Sequence, residues 1–441
     1  MQRIKAASLS EAFLAWARRY AVPMPRSHEE LLSRDAQTAL GRILEGKRFV
    51  FLGEPEHCIV EKYPFRLMLI RYLFDRGWRH AATETGRSVG WRVDRYLETG
   101  DASCLDTGIE PPSPTDLAIG GKMLEFIGGH EKSFHKQLRR ISESRTPGTP
   151  RLHYWGCDLD LGTPLASVEP VRRLLELREN DRIRELLSVV DGLAGLSTNA
   201  QLDEIEAIQA ELTVRGDTLT NALGGEAFGE FQSWLNFLHD SVAAENRPRM
   251  TQDARGHRLW RAERERLMMR YLDAIVDAIG RDGRLILMGH NIHLSKDASK
   301  LCFQPQLSRF WGWCSWLRAM GYEAFSKLSR FPFDGGLHEG SVGSHLHARF
   351  PGQVLSIWML YGQGTLMMPR GPRTVRPHDD TVESLLARVG NRFLLPLNDV
   401  DVSVQAILSN ANLRLSWGEY VSADLTAQAD AICFVKDVSA G

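Results

Sequence analysis

The sequence predicts an α/β fold: a mainly parallel sheet flanked by helices, with a large all-helical insertion closing the cleft. Short runs rich in β-branched and aromatic residues recur along the chain, and most are followed by a polar turn and then by helical periodicity. Strands that alternate with helices are typical of a parallel sheet covered on both faces. Four helical patterns follow one another between about residues 165 and 279 without an intervening strand, which predicts the insertion.

The predicted elements follow in chain order. We interpret residues 1–46 as an N-terminal helical segment, 47–164 and 280–441 as an α/β catalytic core, and 165–279 as the helical insertion. Apolar, β-rich runs predict strands at Arg48–Gly53, His80–Thr83, Leu152–Gly156, Leu285–Gly289, Tyr322–Ser329, Gln353–Leu360 and Ala431–Val435. The polar stretch Pro369–Asp380 is interpreted as a loop.

Composition narrows the classes of partner. The 441 residues carry 54 basic and 55 acidic side chains, a formal net charge of −1, so no net field favours nucleic acid or an anionic membrane. The six cysteines form no CxxC pair, and no apolar run is long enough to span a bilayer. We therefore expect a cytoplasmic protein that acts on a small molecule, without nucleic-acid or membrane partners. The sequence does not indicate an oligomeric state.

Polar side chains follow four of the predicted strands. Glu54 and His57 come after the first strand, Glu84 after the second, Asp158 after the third, and the segment His290–His293 after the fourth. Because the carboxyl ends of parallel strands share one edge of a sheet, we expect these side chains to converge there.

This set of residue types suits general acid–base hydrolysis. A neutral histidine such as His57 can take a proton from water near pH 7, and a carboxylate can orient the ring. A second histidine or Arg66, nine residues beyond His57, can hold negative charge on a tetrahedral intermediate. Taken singly, each residue also has a structural interpretation: Glu84 as support for a helix start and Asp158 as an Asx turn.

Two rival sites stay open at this point. Gly86-Arg-Ser-Val-Gly90 fits the G-x-S-x-G pattern, which makes Ser88 an alternative nucleophile. The pairs Glu54/His57 and His290/His293 are each three residues apart, so a zinc or manganese site is a second alternative. We expect no cofactor, and a site for a divalent metal is the less favoured interpretation.

At these residues the sequence resembles the erythromycin esterase family. The matching segments are Gly53–His57, Arg66, Glu84, Trp91–Asp101, Tyr154–Asp158, Arg264–Met268, His290–His293 and Ala429–Val435. Their order and spacing together carry the likeness, which extends from about residue 47 to the C-terminus.

The resemblance implies hydrolysis of a macrocyclic lactone by a water molecule that a histidine activates, without an acyl-enzyme. It implies His57 as general base, with Glu54 and Glu84 orienting and polarising it. Arg66 and His290 would bind the ester or the developing oxyanion. It implies His293 and Asp158 as supporting residues. Arg87 lies in a segment after Glu84 that departs from the family, and because we expect this segment to line the pocket, Arg87 is a further substrate-binding or supporting candidate.

Three functions are consistent with these residues. The first is a hydrolase of an ester or macrocyclic lactone. The second is a natural-product tailoring enzyme that runs a cyclisation, dehydration or elimination with the same acid–base groups. The third is a metal-binding or non-catalytic member of the fold.

Overall fold

The computed structural model describes residues 2–106, 114–161, 163–176, 181–246, 254–303, 340–368, 371–379, 381–414 and 420–440. The chain divides into two compact units. The first comprises Met1–Ala82, Pro111–His153 and Leu272–Gly441, and the second comprises Thr83–Glu110 and Tyr154–Tyr271. No helix in the described ranges combines the length and hydrophobicity needed to cross a membrane. The strand predicted at Tyr322–Ser329 lies outside the described residues.

A mixed sheet of nine strands dominates the described part of the chain. Its strands are β1 (Val22–Pro23), β2 (Phe49–Glu54), β3 (His80–Gly86), β4 (His153–Asp158), β5 (Leu285–His290), β7 (Val354–Met368), β8 (Gly371–Val375), β9 (Arg392–Pro396) and β12 (Ala431–Val438). The strand order is β1-β9-β12-β7-β2-β5-β3-β4, and β8 pairs with β7. A small antiparallel sheet has the order β10-β11-β6, formed by β6 (Leu301–Phe303), β10 (Ala411–Arg414) and β11 (Tyr420–Ala423).

Strand β2 lies at the centre of the sheet, parallel to β5 on one side and to β7 on the other. All six of its residues are buried, which explains why its sequence reads as a continuous apolar run rather than an alternating one. In this register Gly53 lies opposite Gly289 and Trp358, and Glu54 lies opposite His290. The register therefore places the polar ends of β2 and β5 side by side.

Helices follow most of the strands. They are α1 (Gln2–Tyr20), α2 (Arg34–Leu44), α3 (Lys62–Phe74), α4 (Arg87–Thr99), α5 (Pro114–Glu143), α6 (Val168–Glu176), α7 (Asp181–Gly192), α8 (Thr198–Leu223), α9 (Gly225–Asn246), α10 (Ala254–Ala278), α11 (Val342–Arg349), α12 (Val382–Leu386), α13 (Val402–Leu408) and α14 (Leu425–Gln428). Helix α3 is buried along almost its whole length, including Lys62 and Arg66 at its start. A buried cation must be paired, so these two residues point to a charged partner nearby.

The second unit has its own core, built by the helices between β4 and β5. Phe231, Trp234 and Leu238 of α9 pack with Ile205 and Leu212 of α8. The predicted insertion, 165–279, contains α6 to α10, whereas the compact unit also takes residues 83–110 and 154–164 and ends within α10. That the insertion closes a cleft stays a prediction.

The predicted fold class is confirmed: the sheet is mixed, with parallel pairing among β12, β7, β2 and β5 and helices flanking it. The interpretation of Pro369–Asp380 as a loop is wrong in part, because β8 lies within it. Strand β7 is long, and its final residues pair antiparallel with β8, from Gly364 opposite Val375 to Met368 opposite Gly371. The side chains of β8 are exposed or half-buried, so its sequence lacks the apolar signal of a core strand.

Candidate functional site

The end of β2 carries a histidine–carboxylate pair. Glu54 is the last residue of the strand, and the turn that follows returns His57 so that its Nδ1 lies 2.5 Å from Glu54 Oε1. The Glu54 side chain is 3% exposed and the His57 side chain is 44% exposed. A buried carboxylate therefore receives the Nδ1–H of a ring that reaches solvent, which leaves Nε2 as the nitrogen able to accept a proton.

Two buried cations surround the other oxygen of Glu54. Lys62 Nζ and Arg66 Nη1 each lie 3.0 Å from Glu54 Oε2. Burial alone would raise the pKa of Glu54, but Arg66, Lys62 and the hydrogen bond from His57 outweigh burial and hold that pKa well below its ordinary value. Glu54 is therefore an anion whenever His57 is able to act as a base.

Arg66 faces the protein interior. Its Nη2 lies 3.3 Å from the carbonyl oxygen of Leu52 and 3.4 Å from that of Gly289, while Nη1 pairs with Glu54. Arg66 thus links the ends of β2 and β5 to the carboxylate. The predicted contact of Arg66 with an ester stays a prediction, since in this arrangement both terminal nitrogens already have partners within the protein.

His290 ends β5 and lies beside His57. Its Nε2 is 2.8 Å from the carbonyl oxygen of Pro55, and its Nδ1 accepts the backbone N–H of Ile292 at 3.3 Å. These contacts select the neutral tautomer with the proton on Nε2. The rings of His57 and His290 meet edge to face, with centroids 5.4 Å apart. Presenting the Nε2–H of His290 to an oxyanion would require its bond to Pro55 to break.

His293 lies one turn further along the chain. Its ring centroid is 6.5 Å from that of His290, and its carbonyl accepts the backbone N–H of Gly343 at 2.7 Å. A Cβ on Gly343 would lie 2.6 Å from the Leu294 carbonyl carbon, so only glycine permits this approach of α11. The first turn of α11 therefore supports the segment that carries His293.

In the second unit, Arg264 joins the two remaining carboxylates of the predicted set. Its Nε is 3.1 Å from both oxygens of Asp158, and its Nη2 contacts Asp158 Oδ2 at 2.5 Å and Glu84 Oε1 at 3.0 Å. Burial would lower the pKa of Arg264, but Asp158 and Glu84 outweigh it and raise that pKa. The predicted action of Glu84 on His57 stays a prediction.

The glycines of the Gly86–Gly90 motif have packing roles. A Cβ on Gly90 would lie 1.9 Å from the backbone nitrogen of Gly156, and one on Gly86 would lie 2.0 Å from Asp160 Oδ1. Ser88 is fully buried in the first turn of α4, and its backbone N–H donates to that same Asp160 oxygen at 3.3 Å. The pattern is therefore explained by helix packing, and Ser88 as a nucleophile stays an untested alternative.

Arg87, predicted as a supporting residue, packs on α9. Its Nη1 donates to the carbonyl of Ser233 at 3.0 Å, and its guanidinium lies 4.2 Å from the ring centroid of Trp234. Loss of hydration in these surroundings lowers the pKa of Arg87 to about 10. A contact of Arg87 with substrate stays a prediction.

Sequence reasoning missed three charged residues that the structure places in these networks: Lys62, Arg264 as the partner of two carboxylates, and Asp160. Lys62 begins α3, and no local sequence signal distinguishes it from the solvated lysines usually found at a helix start. Among the described residues no group of three His, Cys, Asp or Glu side chains is placed to hold a metal ion. The expectation that no metal is required stays a prediction.

One protein-family model matches most of this chain. The erythromycin esterase family model matches residues 75–438. The matched range includes Glu84, Asp158, His290 and His293, whereas Glu54 and His57 precede it. A search of curated proteins gave no match.

Solved structures share the fold over nearly the full chain. A Bacillus cereus protein has a TM-score of 0.68 at 13% identity, covering 98% of both chains. A protein described as a succinoglycan biosynthesis protein has a TM-score of 0.65 at 13% identity and the same coverage. A mutant of the erythromycin esterase EreC in its open conformation has a TM-score of 0.62 at 17% identity, covering 95% of this chain and 97% of its own. At these identities the likeness shows the fold alone, but the family model spans most of the sequence, and the chain therefore belongs to the erythromycin esterase family.

Proposed function

We propose that the protein is a hydrolase in which His57 activates a water molecule for attack on an ester or macrocyclic lactone. The observation that carries this proposal is the 2.5 Å contact between His57 Nδ1 and the buried Glu54 carboxylate. A carboxylate in that position holds the ring in the tautomer whose Nε2 accepts a proton, and it stabilises the imidazolium that forms.

The proposed reaction uses side chains of the protein for both proton transfers. Nε2 of His57 takes a proton from water as the water oxygen attacks the carbonyl carbon. The resulting imidazolium then returns that proton to the departing alkoxide, which gives a carboxylic acid and an alcohol. Glu54 stays ionised throughout because Lys62 and Arg66 balance its charge.

Arg66 has a changed role in this proposal. Since Nη1 contacts Glu54 and Nη2 contacts two strand carbonyls, we assign to it the orientation of Glu54 rather than direct contact with the ester. His290 keeps its proposed place beside the reacting carbonyl, because its ring lies against that of His57.

The test is a product-mass assay. Purified protein is incubated with a panel of macrolides, simple lactones and aryl esters, alongside His57→Ala and the control His239→Ala. His239 is a matched control because its Nε2 also contacts a glutamate, Glu206, at 3.4 Å, but it lies on α9.

Three outcomes separate the candidate functions. With wild type and His239→Ala we expect a product whose mass exceeds that of the substrate by one water. With His57→Ala we expect no such product. Products with the mass of the substrate, or with that mass less one water, would indicate a tailoring reaction instead of hydrolysis. Hydrolysis that persists in His57→Ala would overturn the assignment of the base.

A further inference from the structure

Lys62 contacts both members of the histidine–carboxylate pair. Its Nζ donates to the backbone carbonyl of His57 at 2.8 Å and pairs with Glu54 Oε2 at 3.0 Å. One ammonium group thus fixes the main chain of His57 and the carboxylate that holds its ring.

The setting of Lys62 gives it little freedom. The side chain is 3% exposed, and its ammonium lies 5.0 Å from the centroid of the Tyr63 ring. A buried ammonium that loses its partners has no water to replace them, so its position is determined by His57 and Glu54. Flexible lysine side chains usually point to solvent, and this one instead fills the space behind the turn.

We propose that Lys62 is a positioning residue for His57: it holds the turn that presents the ring and tethers the carboxylate that orients it. This proposal rests on the proposed function only for its effect on rate, because its effect on the ring can be measured without a substrate.

The charge of Lys62 has a second consequence. His57 faces Glu54 of β2 and the ring of His290 of β5, while Lys62 and Arg66 of α3 lie behind Glu54. A positive charge near the imidazole disfavours the imidazolium, so removing it should raise the pKa of His57.

The primary measurement is the state of the His57 ring. Protein labelled with ¹⁵N-histidine is titrated by NMR, and the His57 signals are assigned from their loss in His57→Gln. In wild type we expect the neutral ring to carry its proton on Nδ1. In Lys62→Met we expect a mixture of tautomers and a raised pKa of His57.

Matched variants separate positioning from general damage. Lys47→Met removes a lysine whose Nζ also donates to a carbonyl, that of Gly352 at 2.8 Å, but which precedes β2. It should leave the His57 signals unchanged. Lys62→Arg keeps the charge and donors and should retain the Nδ1–H tautomer, and it serves as the test if Lys62→Met does not fold.

Activity provides the second readout, measured on any ester that wild type hydrolyses. We expect Lys62→Met to lower kcat at least tenfold with KM within a factor of about three, since positioning acts on the reacting geometry. The proposal would be overturned if Lys62→Met kept the wild-type His57 tautomer, His57 pKa and kcat. Mixed His57 tautomers in Lys62→Arg would also overturn it. If wild type hydrolyses no ester, the proposed function fails while the NMR result still decides the role of Lys62.

Discussion

The buried carboxyl of Asp160 should make the free energy of unfolding depend on pH. Its side chain lies at the start of α4, where Oδ1 accepts the backbone N–H of Ser88 at 3.3 Å and occupies the space that a Gly86 side chain would need. Asp160 therefore caps α4 in place of the residue that precedes the helix. Replacing it with asparagine keeps the oxygen that accepts this hydrogen bond and removes the titrating carboxyl.

The magnitude follows from the pKa. Burial raises the pKa of Asp160 from 3.8 to about 7. Because the folded state binds the proton more tightly, the contribution of this group to stability is fully present below about pH 4 and is lost as the pH rises to and through about 7. A shift of this size corresponds to about 4 kcal/mol of unfolding free energy, at about 1.4 kcal/mol per pKa unit.

The assay is urea unfolding from pH 4 to pH 8, followed by tryptophan fluorescence and circular dichroism. Asp160→Asn should gain stability relative to wild type as the pH rises, by up to about 4 kcal/mol. Asp160→Ala removes the titrating group and also the cap, so its curve should run parallel to that of Asp160→Asn but lower by about 1 kcal/mol. A difference between wild type and Asp160→Asn that stays constant with pH would refute the reasoning.

Three further predictions concern other buried contacts. Glu383→Gln should gain stability relative to wild type as the pH rises through about 7, because burial raises the pKa of this carboxyl to about 7; urea unfolding measures it, and a pH-independent difference would contradict it. Gly53→Ala should lose about 2 kcal/mol by the same assay, since a Cβ there would lie 2.1 Å from Asn291 Oδ1 and 3.3 Å from Trp358 Cδ1, and an unchanged midpoint would show that Asn291 moves aside. Arg264→Met should lose about 3 kcal/mol by leaving Asp158 and Glu84 without their cation, and Asp158→Asn in the same chain should recover part of that loss; strictly additive losses would argue against the pairing.

The sequence predicted the strands and the polar residues at their ends because both signals are local. Continuous apolar runs identified β2, β5 and β12, and Glu54 and His57 could be recognised by their position at the end of the first strand. Strand β8 was missed because its exposed residues lack periodicity, and its pairing with β7 depends on a hairpin rather than on a buried face.

The orientation of side chains could not be read in the same way. Arg66 was expected to face a substrate, but which way it points depends on where α3 begins, and the structure turns it to Glu54. Lys62 was overlooked because a lysine at the start of a helix is usually solvated. Its burial follows from tertiary packing around the turn, which no local pattern encodes.

The central claim is that His57 takes the proton from the attacking water. The most direct measurement is kcat/KM for ester hydrolysis by His57→Gln, compared with that of wild type. Thermal unfolding of both proteins checks that the variant is folded. General-base catalysis predicts that kcat/KM falls by about 10² to 10⁴-fold. The residual activity should no longer show the pH dependence of a histidine. A rate within tenfold of wild type that keeps its pH profile would contradict the account.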